Sequence, residues 1–230
     1  MDFGIRIYRT IHVTDDLYFH ITETLVVSWI IIAILIALAI VVRVKSSKWD
    51  VTNKPTGLQN VVEMAVDAFE NFFASSASSK VSYLAPWFFT VFVFIAFANM
   101  TGVVGLRPPT ADWGVTFPLA MSSLVLFQYA GLRYRPKNYI RGFFQPIFLF
   151  LPINLLGELA KPVALSFRLF GNVLGGVILI SILYGMAPFI LRIGFPAFLH
   201  AYFDIAVGVL QAFIFCVLSI TFVGLAAEEA

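Results

Sequence analysis

The chain has 230 residues, is 60% hydrophobic and only 12% charged, and has a mean hydropathy of +0.91; this balance excludes an ordinary soluble domain. Its net charge of +2 is too small and too dispersed to point to nucleic acid as a partner. A single cysteine, Cys216, leaves no disulfide framework or thiolate metal cluster, and His12, His20 and His200 lack metal-ligand spacing.

Residues 1–23 hold Asp2, Asp15, Asp16 and Glu23 where a cleavable signal peptide would carry a basic start and an apolar core, so the N-terminus is expected to stay on the mature protein. Thr24 to Val42 then runs without a charge and covers about 28 Å as a helix, one crossing of a bilayer core. In the polar connection over 43–82, Leu58, Val61, Val62, Ala65, Phe69 and Phe72/Phe73 recur at helical spacing opposite Glu63, Asp67 and Glu70. That pattern predicts an amphipathic helix over about 57–73, in the membrane interface or against other helices.

A second span is predicted over about 84–104 and a third over about 115–132, joined by the turn RPPTADWG, in which Asp112 reads as a solvated turn residue. Arg133, Arg135, Lys137 and Arg141 follow with no acid among them. Residues 143–187 are broken by Pro146, Pro152 and Pro162 and contain only Glu158, Lys161 and Arg168 as charges. The piece 143–157 reaches only about 22 Å as a helix, too short to cross alone, so 143–187 is read as one long, tilted, proline-kinked unit. A turn over Pro188 to Pro196 precedes the last segment, 197–227. The expected fold is therefore an all-α membrane protein, a single integral membrane domain of five crossings plus in-plane elements. With nine Lys/Arg in the loops on one side (Arg43, Lys45, Lys48, Lys54, Lys80, Arg133, Arg135, Lys137, Arg141) against Arg6, Arg9, Arg107 and Arg192 on the other, the N-terminus is expected outside and the C-terminus in the cytoplasm.

Ionisable groups inside a span cost several kcal/mol unless they pair, hydrate or snorkel. Glu158, Lys161, Arg168 and Asn172 fall near multiples of the helical repeat and share one broad face, while Asp204, Gly208, Gln211 and Phe215 make a second polar stripe on the last helix. If the two helices are antiparallel neighbours, the stripes meet in one hydrated seam. Arg168 stays protonated at physiological pH and acts only as a fixed cation. It either faces a moving carboxylate on a partner, favouring release of H⁺ or Na⁺ and blocking leakage between two aqueous paths, or forms a fixed ion pair with Asp204 or Glu158. Gln211 and Asn172 are either orienting partners in that seam or plain interhelical hydrogen-bonding residues. Glu158 and Lys161, three apart, fit a local ion pair near the cytoplasmic interface and a cytoplasmic-side path. Gly171 and Gly175 form a small-xxx-small pattern that permits close helix packing. No glycine-rich phosphate loop or ligand cluster occurs, so neither a nucleotide cofactor nor a metal is expected.

Lys161 to Asn172 reads KPVALSFRLFGN and Leu210 to Phe215 reads LQAFIF. This pairing closely resembles the two signature helices of the ATP synthase subunit a family. ITETLVVSWIIIAIL, FANMTGVVGLRPPTADWGVT and the terminal GLAAEE are similar to that family as well, so the resemblance covers nearly the whole chain. It implies that Arg168 matches the family's stator arginine facing the ion-binding carboxylates of a c-ring, and that Gln211 matches the glutamine opposite it. It also implies two half-channels meeting near Arg168 for H⁺ or Na⁺, and two long C-terminal helices facing the ring. A subunit b peripheral stalk, the other F-type subunits and a bacterial plasma membrane belong to the same implication, with ATP made on a separate soluble head.

Three positions depart from the family pattern: Val177 where many relatives carry a glutamate, Asp204 where they carry a histidine, and Gly114 where an asparagine is common. The outer half-channel is then left to Asp204 and water. A self-contained channel or secondary transporter is the competing reading; it would need a midplane substrate site and often internal repeats, and no convincing repeat is found. An intramembrane enzyme would need a nucleophile with its base or a metal pair, and no Ser/His pairing motif, paired Asp motif or HExxH occurs.

Overall fold

The computed structural model describes residues 7–14, 17–47, 49, 57–145, 147–186 and 188–228. Asp2, Arg6, Asp15, Asp16, Lys48, Lys54 and Pro146, on which parts of the sequence reading rest, lie outside the described residues, as do the side chains of Arg9, His12 and Arg192.

The fold is that of an all-α membrane protein with an N-terminal addition. Ile7–Thr14 (β1) and Leu17–Thr22 (β2) pair antiparallel as a two-stranded hairpin, for which no element was expected. Both segments are rich in β-branched and aromatic residues, which suit an extended, pleated backbone. Thr22 then caps α1 (Glu23–Ser46), its hydroxyl accepting from the Leu25 amide at 3.4 Å. Helix α1 touches the rest of the molecule mainly through Val27 and Ile31, which pack on Ala98, while Ile30, Ile34, Ile36 and Ile40 point outward. An outward isoleucine face suits a helix whose solvent is lipid.

Helix α2 (Leu58–Ser76) is the amphipathic element, held by buried Phe73 and by aromatic contacts of Phe69 and Phe72 with Phe89 and Phe213. Helices α3 (Ala85–Met100) and α4 (Trp113–Tyr134) follow, joined through two short 3₁₀ turns, Thr101–Val104 and Pro109–Ala111. Gly105 takes φ 77° at the end of the first of these turns, a left-handed position that glycine adopts without a Cβ penalty. Asp112 is no plain solvated residue: it caps α4 through the Gly114 amide (2.9 Å) and accepts from the Thr24 hydroxyl (2.8 Å), tying α1 to α4. Proline inside a helix leaves a backbone carbonyl without its usual donor, which membrane helices tolerate where neighbours compensate; α4 carries Pro118 in its interior.

The long unit begins later than expected, with the 3₁₀ turn Phe148–Phe150 and not at 143. Helix α5 (Pro136–Phe143) ends there, and Asn154 donates to the carbonyls of Phe143 (2.9 Å) and Gln145 (3.0 Å), pinning a turn ahead of α6 (Leu151–Met186). The expected turn over 188–196 is also mostly helical. Pro188 sits in the N-cap position and α7 (Phe189–His200) starts directly after it, running into a π-helical stretch, Ala201–Val207, and then α8 (Gly208–Glu228). Five segments among the described residues are long and apolar enough to cross a membrane: 23–46, 79–104, 113–134, 148–186 and 195–228. Helices α3, α4, α6 and α8 enclose the core, with Phe88, Ile95, Leu169, Phe215, Cys216 and Ile220 at its centre.

Candidate functional site

Helices α6 and α8 lie antiparallel. Lys161 meets Phe222, Asn172 meets Gln211 and Gly176 meets Phe203, so positions rising along α6 meet positions falling along the α7–α8 segment. The two polar stripes join where the Asn172 amide donates to Gln211 Oε1 at 2.7 Å. Gln211 is buried at 3% exposure while Asn172 is exposed, so the pair bridges the interior and the outer surface of α6.

Arg168, one turn before Asn172, points outward. It makes no hydrogen bond or ion pair with any described residue. The two fixed pairs open to it are both taken by others. Glu158 bonds Lys161 at 2.8 Å, and Asp204 bonds His200 Nδ1 at 2.6 Å. Around Arg168 the exposed face of α6 is built of small residues: Gly157, Ala160, Ala164, Gly171 and Gly175. Gly171 and Gly175 therefore do not pack inside the chain, and a Cβ at either would meet nothing within 4 Å. The glycine that does pack is Gly176, where a Cβ would come within 3.2 Å of the Phe203 ring. An unpartnered cation on an apolar face of small residues is costly for a membrane helix unless something covers it.

Two tracks approach this point from opposite ends, a largely apolar groove and a buried line of polar groups. The first is a groove of about 300 Å³ lined by Gly157, Lys161, Ala164, Arg168, Leu218 and Phe222. It shares Gly157 and Lys161 with a cavity of about 610 Å³ between α5 and the start of α6, lined also by Arg135, Asn138, Asn154 and Glu158. Lys161 sits over the Phe127 ring at 4.5 Å as well as pairing Glu158, and the second Glu158 oxygen is buried with no hydrogen-bond partner. Tyr139, on the same cavity, donates to Gln128 at 2.5 Å; its hydroxyl is pushed above the ordinary phenol range by burial and by the Glu158 charge.

The second track is buried. Asp204 is 7% exposed within the π-helical stretch. The carbonyl of Gly208 accepts from the Asn99 amide at 2.8 Å, and Asn99 in turn accepts from the Thr110 hydroxyl. Asp204, Gly208, Gln211 and Phe215 thus form a stripe, as the sequence indicates, but all four are buried against neighbouring helices. His200, Asn99 and Thr110 are the polar members that sequence reading left out. The His200–Asp204 spacing of four lies inside the segment expected as the last helix, 197–227, and is legible there as a helical pair. Asn99 and Thr110 carry no local signal, since what gives them a role is the approach of α8. Among the described residues no group of three or more His, Cys, Asp or Glu could hold a metal.

The sequence profile of the ATP synthase A chain family matches residues 25–224, a span that contains every one of these residues. The chain belongs to the ATP synthase subunit a family. It is 35% identical to the ATP synthase subunit a of Moorella thermoacetica over 205 residues, covering 88% of this chain and 89% of that one. It is 33% identical to the subunit a of Desulforamulus reducens over 228 residues (94% and 86%), and 30% identical to the chloroplastic subunit a of Oedogonium cardiacum over 220 residues (90% and 83%). Family membership ties the chain to ATP synthesis and ion transport in a membrane, and the matched range takes in most of the five segments long and apolar enough to cross one.

Proposed function

We propose that this chain is the stator subunit a in the membrane (Fo) sector of an F-type ATP synthase, non-catalytic by itself, passing H⁺ or Na⁺ to and from the carboxylates of a c-ring. The observation that carries the reading is the outward, unpartnered Arg168 on a face of small residues beside the Asn172–Gln211 bond. A ring of helices with one carboxylate each fits such a face: small residues admit close approach, and the guanidinium meets each carboxylate in turn. Opposite charge at short range favours the ionised carboxylate and so the release of its ion.

The groove from Arg168 to Lys161 and the cavity beyond it serve as the cytoplasmic half-channel, with Glu158 and Lys161 at their junction. The track of His200, Asp204, Asn99, Thr110 and Gln211 serves as the outer one. The N-terminus lies outside and the C-terminus in the cytoplasm of a bacterial plasma membrane, and the assembled partners are the c-ring, a subunit b peripheral stalk and the other F-type subunits.

Cysteine cross-linking in the assembled complex tests this. Native Cys216 is fully buried and does not interfere. Ala164→Cys and Gly175→Cys, on the Arg168 face, should link under mild oxidation to a cysteine placed near the carboxylate of subunit c, whereas Val125→Cys, 63% exposed on α4, should not. Linkage from α4 and none from α6 removes the proposed face. For the outer track, Asp204→Asn should slow ion-driven ATP synthesis by roughly tenfold while the complex still assembles, measured in liposomes under a fixed ion gradient. A normal rate excludes Asp204 from the path.

A further inference from the structure

The Asp204 carboxylate occupies the volume that a side chain at residue 102 would fill. A Cβ placed on Gly102 lies 2.5 Å from Asp204 Cγ and Oδ2 and 2.6 Å from Oδ1, so all three carboxylate atoms crowd around that one point. Real Cβ atoms do not approach other atoms so closely, and the atoms in the way belong to a short, buried side chain with little room to retreat. Gly102 lies in the 3₁₀ turn Thr101–Val104 that follows α3, is itself buried, and has no left-handed φ that would call for glycine on backbone grounds. Its missing side chain is explained by space alone.

The Oδ2 atom is also held by His200 Nδ1 at 2.6 Å, and the acid is carried by the π-helical stretch Ala201–Val207. Such wide turns recur at functional sites. Three residues before Gly102 stands Asn99, which bonds the Gly208 carbonyl, and one turn beyond Gly208 comes Gln211. The carboxylate therefore lies at the outer end of a line of polar groups leading to Asn172 and Arg168.

We infer that Gly102 is a socket for the Asp204 carboxylate, and that the outer path requires an acid at this point in space whichever of the two segments supplies it. The inference rests on the stator reading above and deepens it by making Gly102 a positioning residue. An aspartate at 102 would place its own Cγ one carbon–carbon bond from a Cβ that already touches the present carboxylate, so its oxygens would fall on nearly the same spot.

The test uses the assembled complex in liposomes, comparing Gly102→Ala, Asp204→Ala, Asp204→Asn and the exchange Gly102→Asp/Asp204→Ala for ATP synthesis under a fixed ion gradient. Gly102→Ala should lose roughly tenfold, matching Asp204→Asn, because the methyl group expels the carboxylate. The exchange should run several-fold faster than Asp204→Ala alone. If Gly102→Ala does not assemble, Gly102→Ala/Asp204→Ala should restore assembly by removing the clash; failure to restore it overturns the socket. A wild-type rate for Gly102→Ala, or an assembled exchange variant no faster than Asp204→Ala, overturns it as well. The two levels of the reading fail separately: a normal Asp204→Asn rate removes Asp204 from the path, whereas a slow Asp204→Asn beside a normal Gly102→Ala removes only the socket.

Discussion

Arg168→Ala should abolish coupled ATP synthesis in an enzyme that still assembles. The guanidinium bonds no described residue, so its removal breaks no internal contact, and the alanine face it leaves continues the surrounding small residues. What is lost is a fixed positive charge in a low-dielectric seam, where its attraction for a passing carboxylate far exceeds the value in water. Without it the carboxylate holds its ion, and no cation separates the two tracks. The expected result in liposomes is synthesis below detection together with a raised passive ion conductance. Arg168→Lys keeps a charge but loses the planar fork and deprotonates more readily when desolvated, so severe loss of coupling with a smaller leak is expected. Normal coupled synthesis by an assembled Arg168→Ala enzyme would remove the central claim.

The second large effect is structural. Gly208→Ala should destabilise the packing of α3 on α8, because the added Cβ would sit 2.7 Å from Asn99 Cβ. Both atoms are held at the ends of short, buried linkages, so the helices must separate, and separation stretches the Asn99–Gly208 hydrogen bond of 2.8 Å. Overpacking of this kind costs about 1–3 kcal/mol, to which the weakened buried bond adds about 1 kcal/mol. Thermal unfolding of the purified complex, followed by loss of the subunit from it, should show the change as a lowered midpoint. Val207→Ala, one residue away and half-buried, serves as the comparison and should move the midpoint far less. An unchanged midpoint for Gly208→Ala would mean that this contact relaxes freely.

Much of this architecture was legible in the residues. Long uncharged runs locate membrane helices because a bilayer demands them, and the periodic face of α2 follows from the same rule applied at an interface. Arg168 declared itself because a permanent charge inside an apolar segment has few tolerable explanations. The meeting of Asn172 and Gln211 was also within reach, since two polar stripes on neighbouring helices have strong reason to find each other.

The failures share a cause. The break after Phe143 is pinned by Asn154 reaching back to the carbonyls of Phe143 and Gln145, a contact no window of local sequence reveals. Pro188 and Pro196 suggest a turn, yet one stands at a helix start and the other inside a helix. Gly102, Gly176 and Gly208 look alike in the sequence, and only the tertiary approach of Asp204, Phe203 and Asn99 gives each its separate reason.

The row Gly157, Ala160, Ala164, Gly171 and Gly175 has a mechanical meaning as well as a steric one. A surface past which many identical helices must move has to offer each of them the same landscape, and every protruding side chain would add a detent that has to be climbed once per step. Larger side chains, Lys161 and Phe167, flank this row beside the cation, and Asn172 is drawn aside by Gln211. Under the proposed rotary role the wall is a bearing with a single charged tooth. Bulky residues at Gly171 or Gly175, harmless to the subunit's own packing, would then act as a brake.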